Sequence, residues 1–183
     1  MKTTTKQLEI KLYGCQILHQ KAEPVSQMTP EISALIDNMI YTMYEVRGCG
    51  LAAPQVGVPL RIFVCDADYS QEQGRDPMVF VNPEFIEFEG ETTYEEGCLS
   101  FPDVYEKVKR FKVITLKYRD KNFKEHTLTA TETLGIIIQH ETDHLNGILL
   151  VDKMNPLGKM AQAFKLAKIT DKAKKMTNEM VIL

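Results

Sequence analysis

The chain of 183 residues sets 22 Lys and Arg against 25 Asp and Glu, a net charge of −3, with 44% apolar and 26% charged residues. That balance is the one a soluble globular protein has, and it excludes a general nucleic-acid coat while leaving room for a local basic patch. The length favours one domain, 1–183, able to bury roughly 70% of its unfolded surface without staples.

In chain order, Met1 to Lys11 is rich in Thr and Lys and has no apolar core, so it does not read as a secretory signal. No later run reaches the ~18 apolar residues of a membrane helix. A cytoplasmic location is therefore expected, with Cys15, Cys49, Cys65 and Cys98 reduced. Thr29-Pro30-Glu31 supplies a hydroxyl cap, a first-turn proline and an early acid. Ile32, Leu35, Ile36, Met39, Ile40 and Met43 follow at helical spacing, and Gly48 suits the end of that helix.

The period then changes. Arg61–Asp66 and Met78–Asn82 read as short buried strands, and Phe85–Glu89 alternates in part. Val113–Arg119 alternates more cleanly, and Asp120-Lys121-Asn122 turns it into Glu125–Ala130 as a hairpin. A helix runs from Glu132 to about Leu145 and ends at Gly147. Pro156 opens a last helical segment. Residues 157–183 read as a basic C-terminal extension with Lys159, Lys165, Lys168, Lys172, Lys174 and Lys175. Helices at both ends of a block of mostly antiparallel strands predict an α+β fold, packed around the helix that carries His140.

The strongest chemical signal is His140-Glu141-Thr142-Asp143-His144. Residues four apart share a helix face, so both imidazoles can reach one metal ion with Glu141 beside it. Two ligands do not hold a catalytic ion; a third is needed, with one position left open. A histidine three residues after Gly147 would serve, but Leu150 stands there. Glu179 fits in type and order but lies near the chain end. Cys98, in the polar run Glu95-Glu96-Gly97-Cys98-Leu99-Ser100, is the third candidate. Glu179 would make a zinc endopeptidase. Cys49 joining Cys98 would make a metal-stapled module without catalysis. Cys65 reads as core. His19 and His126 read as surface or strand residues.

Three segments together resemble the peptide deformylase family. Gly48-Cys49-Gly50-Leu51-Ala52-Ala53-Pro54-Gln55 is similar to its GxGLAAxQ motif, Glu96-Gly97-Cys98-Leu99-Ser100 is identical to its EGCLS motif, and Gln139–Leu145 matches QHExDHL. The resemblance runs from about Ile17 to about Pro156. It departs at Val104-Tyr105-Glu106, where many relatives carry an arginine near the substrate, and at Thr133-Leu134-Gly135-Ile136.

The resemblance implies removal of the formyl group from formyl-methionine at the start of nascent polypeptides. It implies one divalent ion on Cys98, His140 and His144, Fe(II) before Zn(II), Ni(II) or Co(II). Such an ion lowers the pKa of its water toward about 7, and Glu141 is expected as general base and then proton donor to the leaving amine. The Gln55 amide and the Leu99 backbone N–H are expected to stabilise the oxyanion. Substrate contacts are expected from Gly48, Cys49, Gly50, Glu96, Gly97, Ile136 and Ile137, with the two isoleucines as an apolar wall for methionine. Asp143 and Gln139 are candidates to orient ligands from behind. The basic C-terminal segment is a candidate ribosome contact.

Overall fold

The computed structural model describes residues 5–68 and 75–179. Thr29 caps helix α1 (Pro30–Glu45), its hydroxyl accepting the Ile32 N–H at 3.3 Å. Ile36, Met39 and Met43 of the apolar stripe are fully buried. The helix closes one residue earlier than Gly48 suggests. Arg47 takes the left-handed conformation (φ 57°), and N–H bonds run from Arg47 to Tyr44 O and from Gly48 to Met43 O. That pair of bonds satisfies the last carbonyls and leaves Gly48 beyond the turn.

Strands β1 (Gly50–Ala52), β2 (Ile62–Cys65), β3 (Met78–Cys98), β4 (Phe101–Arg119) and β5 (Glu125–Thr131) form one antiparallel sheet in that order. The α+β class is as read; the strand lengths are not. β3 is 21 residues long and β4 is 19, where the sequence suggested short pieces. Between Glu89 and Glu95 the ribbon shows polar side chains on both faces, so apolar alternation gives no signal. A cross-strand pair of opposite charge, Glu95 with Lys107, suits that stretch instead. A register shift between Val81 and Glu84 absorbs Pro83. There Asn82 (φ 52°) exchanges two hydrogen bonds with the Val25 backbone. The Asp120 turn forms as predicted, with Oδ1 accepting from the Asn122 and Lys124 N–H groups.

Helix α2 (Glu132–Leu145) lays Ile137, Ile138 and Leu145 against Phe63, Phe80, Ile114 and Leu116 of the sheet. Gly147 (φ 72°) ends it, and a Cβ there would lie 2.6 Å from His19 O. A short α3 (Leu150–Lys153) leads to α4 (Pro156–Glu179). Leu166, Ile169 and Ala173 of α4 are buried with Leu12, Leu18, Phe101, Val104 and Val108. The segment read as an extension thus shares the core through Ala173. Among the described residues no helix is long and apolar enough to cross a membrane.

Candidate metal centre

β3 delivers Cys98 at its last residue, and α2 delivers His140, Glu141 and His144 from one turn. One ligand atom from each of Cys98, His140 and His144 lies within 4.8 Å of the other two. Cys98 Sγ and His144 Nε2 are 3.2 Å apart, and the two imidazole centroids are 5.0 Å apart at 74°. A thiolate with two imidazoles suits iron, zinc, cobalt or nickel.

The ligands are held from behind. His140 Nδ1 lies 2.8 Å from Glu96 Oε2, which fixes the ring and turns Nε2 toward Cys98. Arg110 donates from Nε to Glu96 Oε1 at 2.7 Å and from Nη2 to Oε2 at 2.9 Å. Its Nη1 donates to Asp143 Oδ2 at 2.6 Å, and Lys153 Nζ lies 3.2 Å from the same oxygen. Burial alone would raise the Glu96 pKa; hydrogen bonds from Arg110 and His140 overcome it and hold it at about 2. Burial holds the His144 pKa well below the usual range, so its ring is neutral and ready to donate a lone pair.

Glu141 Oε2, beside the ligand cluster, is buried with no hydrogen bond from the protein, which fits a water held there by a bound ion. Burial pushes the Glu141 pKa up to about 7, against the pull of His140. Gly50 of β1 faces this carboxylate: a Cβ there would lie 2.9 Å from the Glu141 carboxyl carbon and closer still to Oε1. Gln55, in a 3-10 turn (Ala53–Val56), accepts the Ala52 N–H on Oε1 at 2.8 Å. Its Nε2 lies 3.6 Å from Cys98 Sγ and 3.3 Å from Ser100 Oγ.

A cavity of about 540 Å3 opens onto these groups, lined by Cys49, Leu99, Tyr105, Ile136 and Ile137 among others. Ile136 and Ile137 are each only 6% exposed and form an apolar wall beside His140. Gly48 and Gly97 also line the cavity: a Cβ at 48 would lie 2.9 Å from Leu99 Cδ1, and one at 97 would lie 2.9 Å from the Tyr105 ring. Glu96 is different in kind, since both its oxygens are engaged by Arg110 and His140. Gln139 spans α2 and β4, bonding the Phe111 N–H and C=O and the Gly135 C=O, and does not touch a ligand side chain.

The alternatives find no such geometry. Cys49 is exposed and stands outside the ligand cluster found among the described residues, and the Glu179 side chain lies outside the described part. Cys65 is buried core, and His126 pairs with Asp120. Arg110 was not singled out from the sequence. Its signal existed only in a strand reading begun at Phe101, where Val108, Arg110 and Ile114 fall on one face.

The family model for polypeptide deformylase matches residues 7–160. A peptide deformylase of Thermodesulfovibrio yellowstonii is 48% identical over 150 residues, spanning 82% of this chain and 90% of that protein. One of Fusobacterium nucleatum is 42% identical, spanning 93% and 97%. Among solved structures, a peptide deformylase from Legionella pneumophila superposes with a TM-score of 0.82 at 37% identity, covering 94% of this chain and 98% of that one. With the cysteine of EGCLS and the histidines of HExDH brought together at one cavity, the chain belongs to the polypeptide deformylase family, a family of enzymes.

Proposed function

We propose that this protein removes the formyl group from the N-terminal formyl-methionine of nascent polypeptides, releasing formate and a free amine. The carrying observation is the convergence of Cys98, His140 and His144 beside the buried Glu141 at the end of an apolar-walled cavity. Those three side chains would hold one divalent ion, Fe(II) by the family resemblance, with Zn(II), Ni(II) and Co(II) as substitutes. When bound, the ion supplies an activated water and polarises the formyl carbonyl.

The chain's own groups do the rest. Glu141 takes one proton from the attacking water and delivers it to the amine nitrogen as the formyl C–N bond breaks. Burial, which favours its protonated form, suits it to hold that proton between the two halves of the transfer. Gln55 Nε2 and the Leu99 backbone N–H donate to the oxygen that becomes negative during the attack. Ile136 and Ile137 exclude water and receive the methionine side chain. Glu96 keeps His140 in the tautomer that offers Nε2, and Arg110 keeps Glu96 in place.

The whole chain works as one domain in this reading, in the cytosol where formylated chains are made. The exposed lysines of α4 are read as a contact for ribosomal RNA, which brings the cavity to emerging chains.

The test is incubation of Fe(II)-, Ni(II)- or Zn(II)-loaded protein with formyl-Met-Ala and measurement of formate. Formate release that disappears in Glu141→Ala supports the reading. A folded, loaded protein that releases none ends it.

A further inference from the structure

Tyr105 sits where β4 departs from regular pairing. Gly97 of β3 pairs with Tyr105, yet the next residue, Cys98, pairs with Phe101. Pro102, Asp103 and Val104 are therefore left without cross-strand partners. Asp103 carries the kink at φ 61°, its carbonyl accepts from Lys165 Nζ of α4 at 2.7 Å, and Val104 is buried. The bulge is thus anchored on both sides and aims Tyr105 at a fixed place.

That place is the cavity wall beside the metal ligand. The Tyr105 ring lies against Gly97, which has no side chain to lift it away. The residue nevertheless remains 60% exposed while lining the cavity. A large aromatic so exposed adds little to the core. Tyr94, 45% exposed, lines the same wall from β3. The charged groups sharing the lining near the mouth are Glu95, Asp103 and Arg47, a net acidic set.

We propose that Tyr105 is a specificity-determining residue: it selects an apolar, above all aromatic, side chain just downstream of the substrate's methionine, over an acidic one. The proposal rests on the deformylase reading. With the formyl carbon at the ligands and methionine against Ile136 and Ile137, an extended chain advances about 3.4 Å per residue. Gly97 is the direct neighbour of Cys98, so the ring on Gly97 falls within reach of the first or second residue after methionine. An exposed ring stacks on an aromatic side chain at little entropic cost, and the acidic rim disfavours a carboxylate there.

The experiment compares formyl-Met-X-Y peptides carrying Ala, Leu, Phe or Glu at X or Y, using metal-loaded protein. Phe over Glu should gain roughly 3- to 10-fold in kcat/KM, carried mainly by KM. Tyr105→Phe should keep that ratio, and Tyr105→Ala should lower it to the part the acidic rim supplies, with the Phe-over-Leu preference lost. Turnover with no aromatic preference, or a preference undiminished in Tyr105→Ala, overturns the proposal and leaves the deformylase reading standing. No formate from any peptide, formyl-Met-Ala included, overturns the activity and the proposal together.

Discussion

Gly50 and Glu141 are in contact in a way that only a hydrogen side chain permits: a Cβ at position 50 would stand 2.9 Å from the Glu141 carboxyl carbon and 3.0 Å from Cγ. Gly50 is not at positive φ, so its role is close approach and not an unusual turn. Gly50→Ala should displace the carboxylate from the attacking water without touching a ligand. The expected result is a fall in kcat of about 10²-fold or more, with metal content and KM nearly unchanged. Equal loss of bound metal would show that Gly50 serves the fold instead. Kinetics with metal analysis on the same preparation decides.

Arg110 joins the two elements that carry the ligands. Its side chain is only 5% exposed, and its guanidinium bonds Glu96 of β3 and Asp143 of α2 together. Removing it strands two acids, one of them buried, and breaking such a group typically costs about 3–5 kcal/mol. Arg110→Met should lower the urea midpoint strongly and weaken metal retention, because Glu96 then loses its hold on His140. Arg110→Lys should recover only part, since an ammonium cannot make the forked pair on Glu96. Unfolding curves for the three proteins, with metal dialysis, measure both effects.

Metal removal should destabilise the protein as well as silence it. His144 and Glu141 are buried and Cys98 and His140 half-buried, and an ion that binds only the folded chain adds stability by mass action, about 4 kcal/mol at a thousandfold excess over Kd. Chelation should therefore lower Tm, and readdition of Ni(II) or Co(II) should restore it. Cys98→Ser should blunt that response and abolish the thiolate-to-cobalt absorption band. Cys49→Ser should leave the band intact, since Cys49 is outside the cluster.

Tyr44 gives a pH-dependent check on the support beneath β1. Its hydroxyl donates to Asp66 Oδ2 at 2.6 Å, and the Asp66 N–H donates to Cys49 O. Burial, then the Asp66 bond and charge, raise the Tyr44 pKa above the ordinary tyrosine range. Because the folded value is the higher one, the stabilisation is complete below about pH 10 and is lost as pH rises beyond it. A phenolate absorbance titration should show a late step, above the other tyrosines, that is missing in Tyr44→Phe. If both proteins titrate alike, the bond to Asp66 is not holding the phenol.

The site was far more legible in the sequence than the scaffold. Helical spacing alone put His140 and His144 on one face, because four residues nearly complete a turn. Nothing local pointed Cys98 at them: it reaches α2 only because β3 continues to its end, and β3 hid behind glutamates and threonines that face solvent on both sides. Arg110 stayed invisible for the same reason, as one cation among Lys107, Lys109 and Lys112 until the strand that buries it was known. Gly48 lies one residue beyond the place its identity suggests, although its N–H does help close the helix on Met43 O. Its glycine identity suggested a helix stop, while Arg47 took the left-handed conformation and Gly48 packed under Leu99.

The C-terminal helix demands a different test of ribosome contact than truncation. Leu166, Ile169 and Ala173 are buried against Leu12, Leu18 and Phe101, and Gly14 (φ 108°) lies close enough that a Cβ there would sit 3.1 Å from Thr170 Cγ2. Deleting residues from Leu157 onward would open this core, so any loss of binding would be confounded with loss of fold. Charge reversal on the outer face avoids that. Lys168, Lys172 and Lys175 are exposed, and reversing them to Glu touches no buried contact. Lys168 stands 4.4 Å over the exposed Phe164 ring, a contact of small weight at the surface. The triple variant should keep its Tm and its turnover of formyl-Met-Ala. Co-sedimentation with ribosomes should weaken, most clearly at low salt where phosphate contacts count most. Sedimentation equal to that of the unaltered protein, at every salt concentration, would remove α4 lysines from the account of how the enzyme meets its substrate.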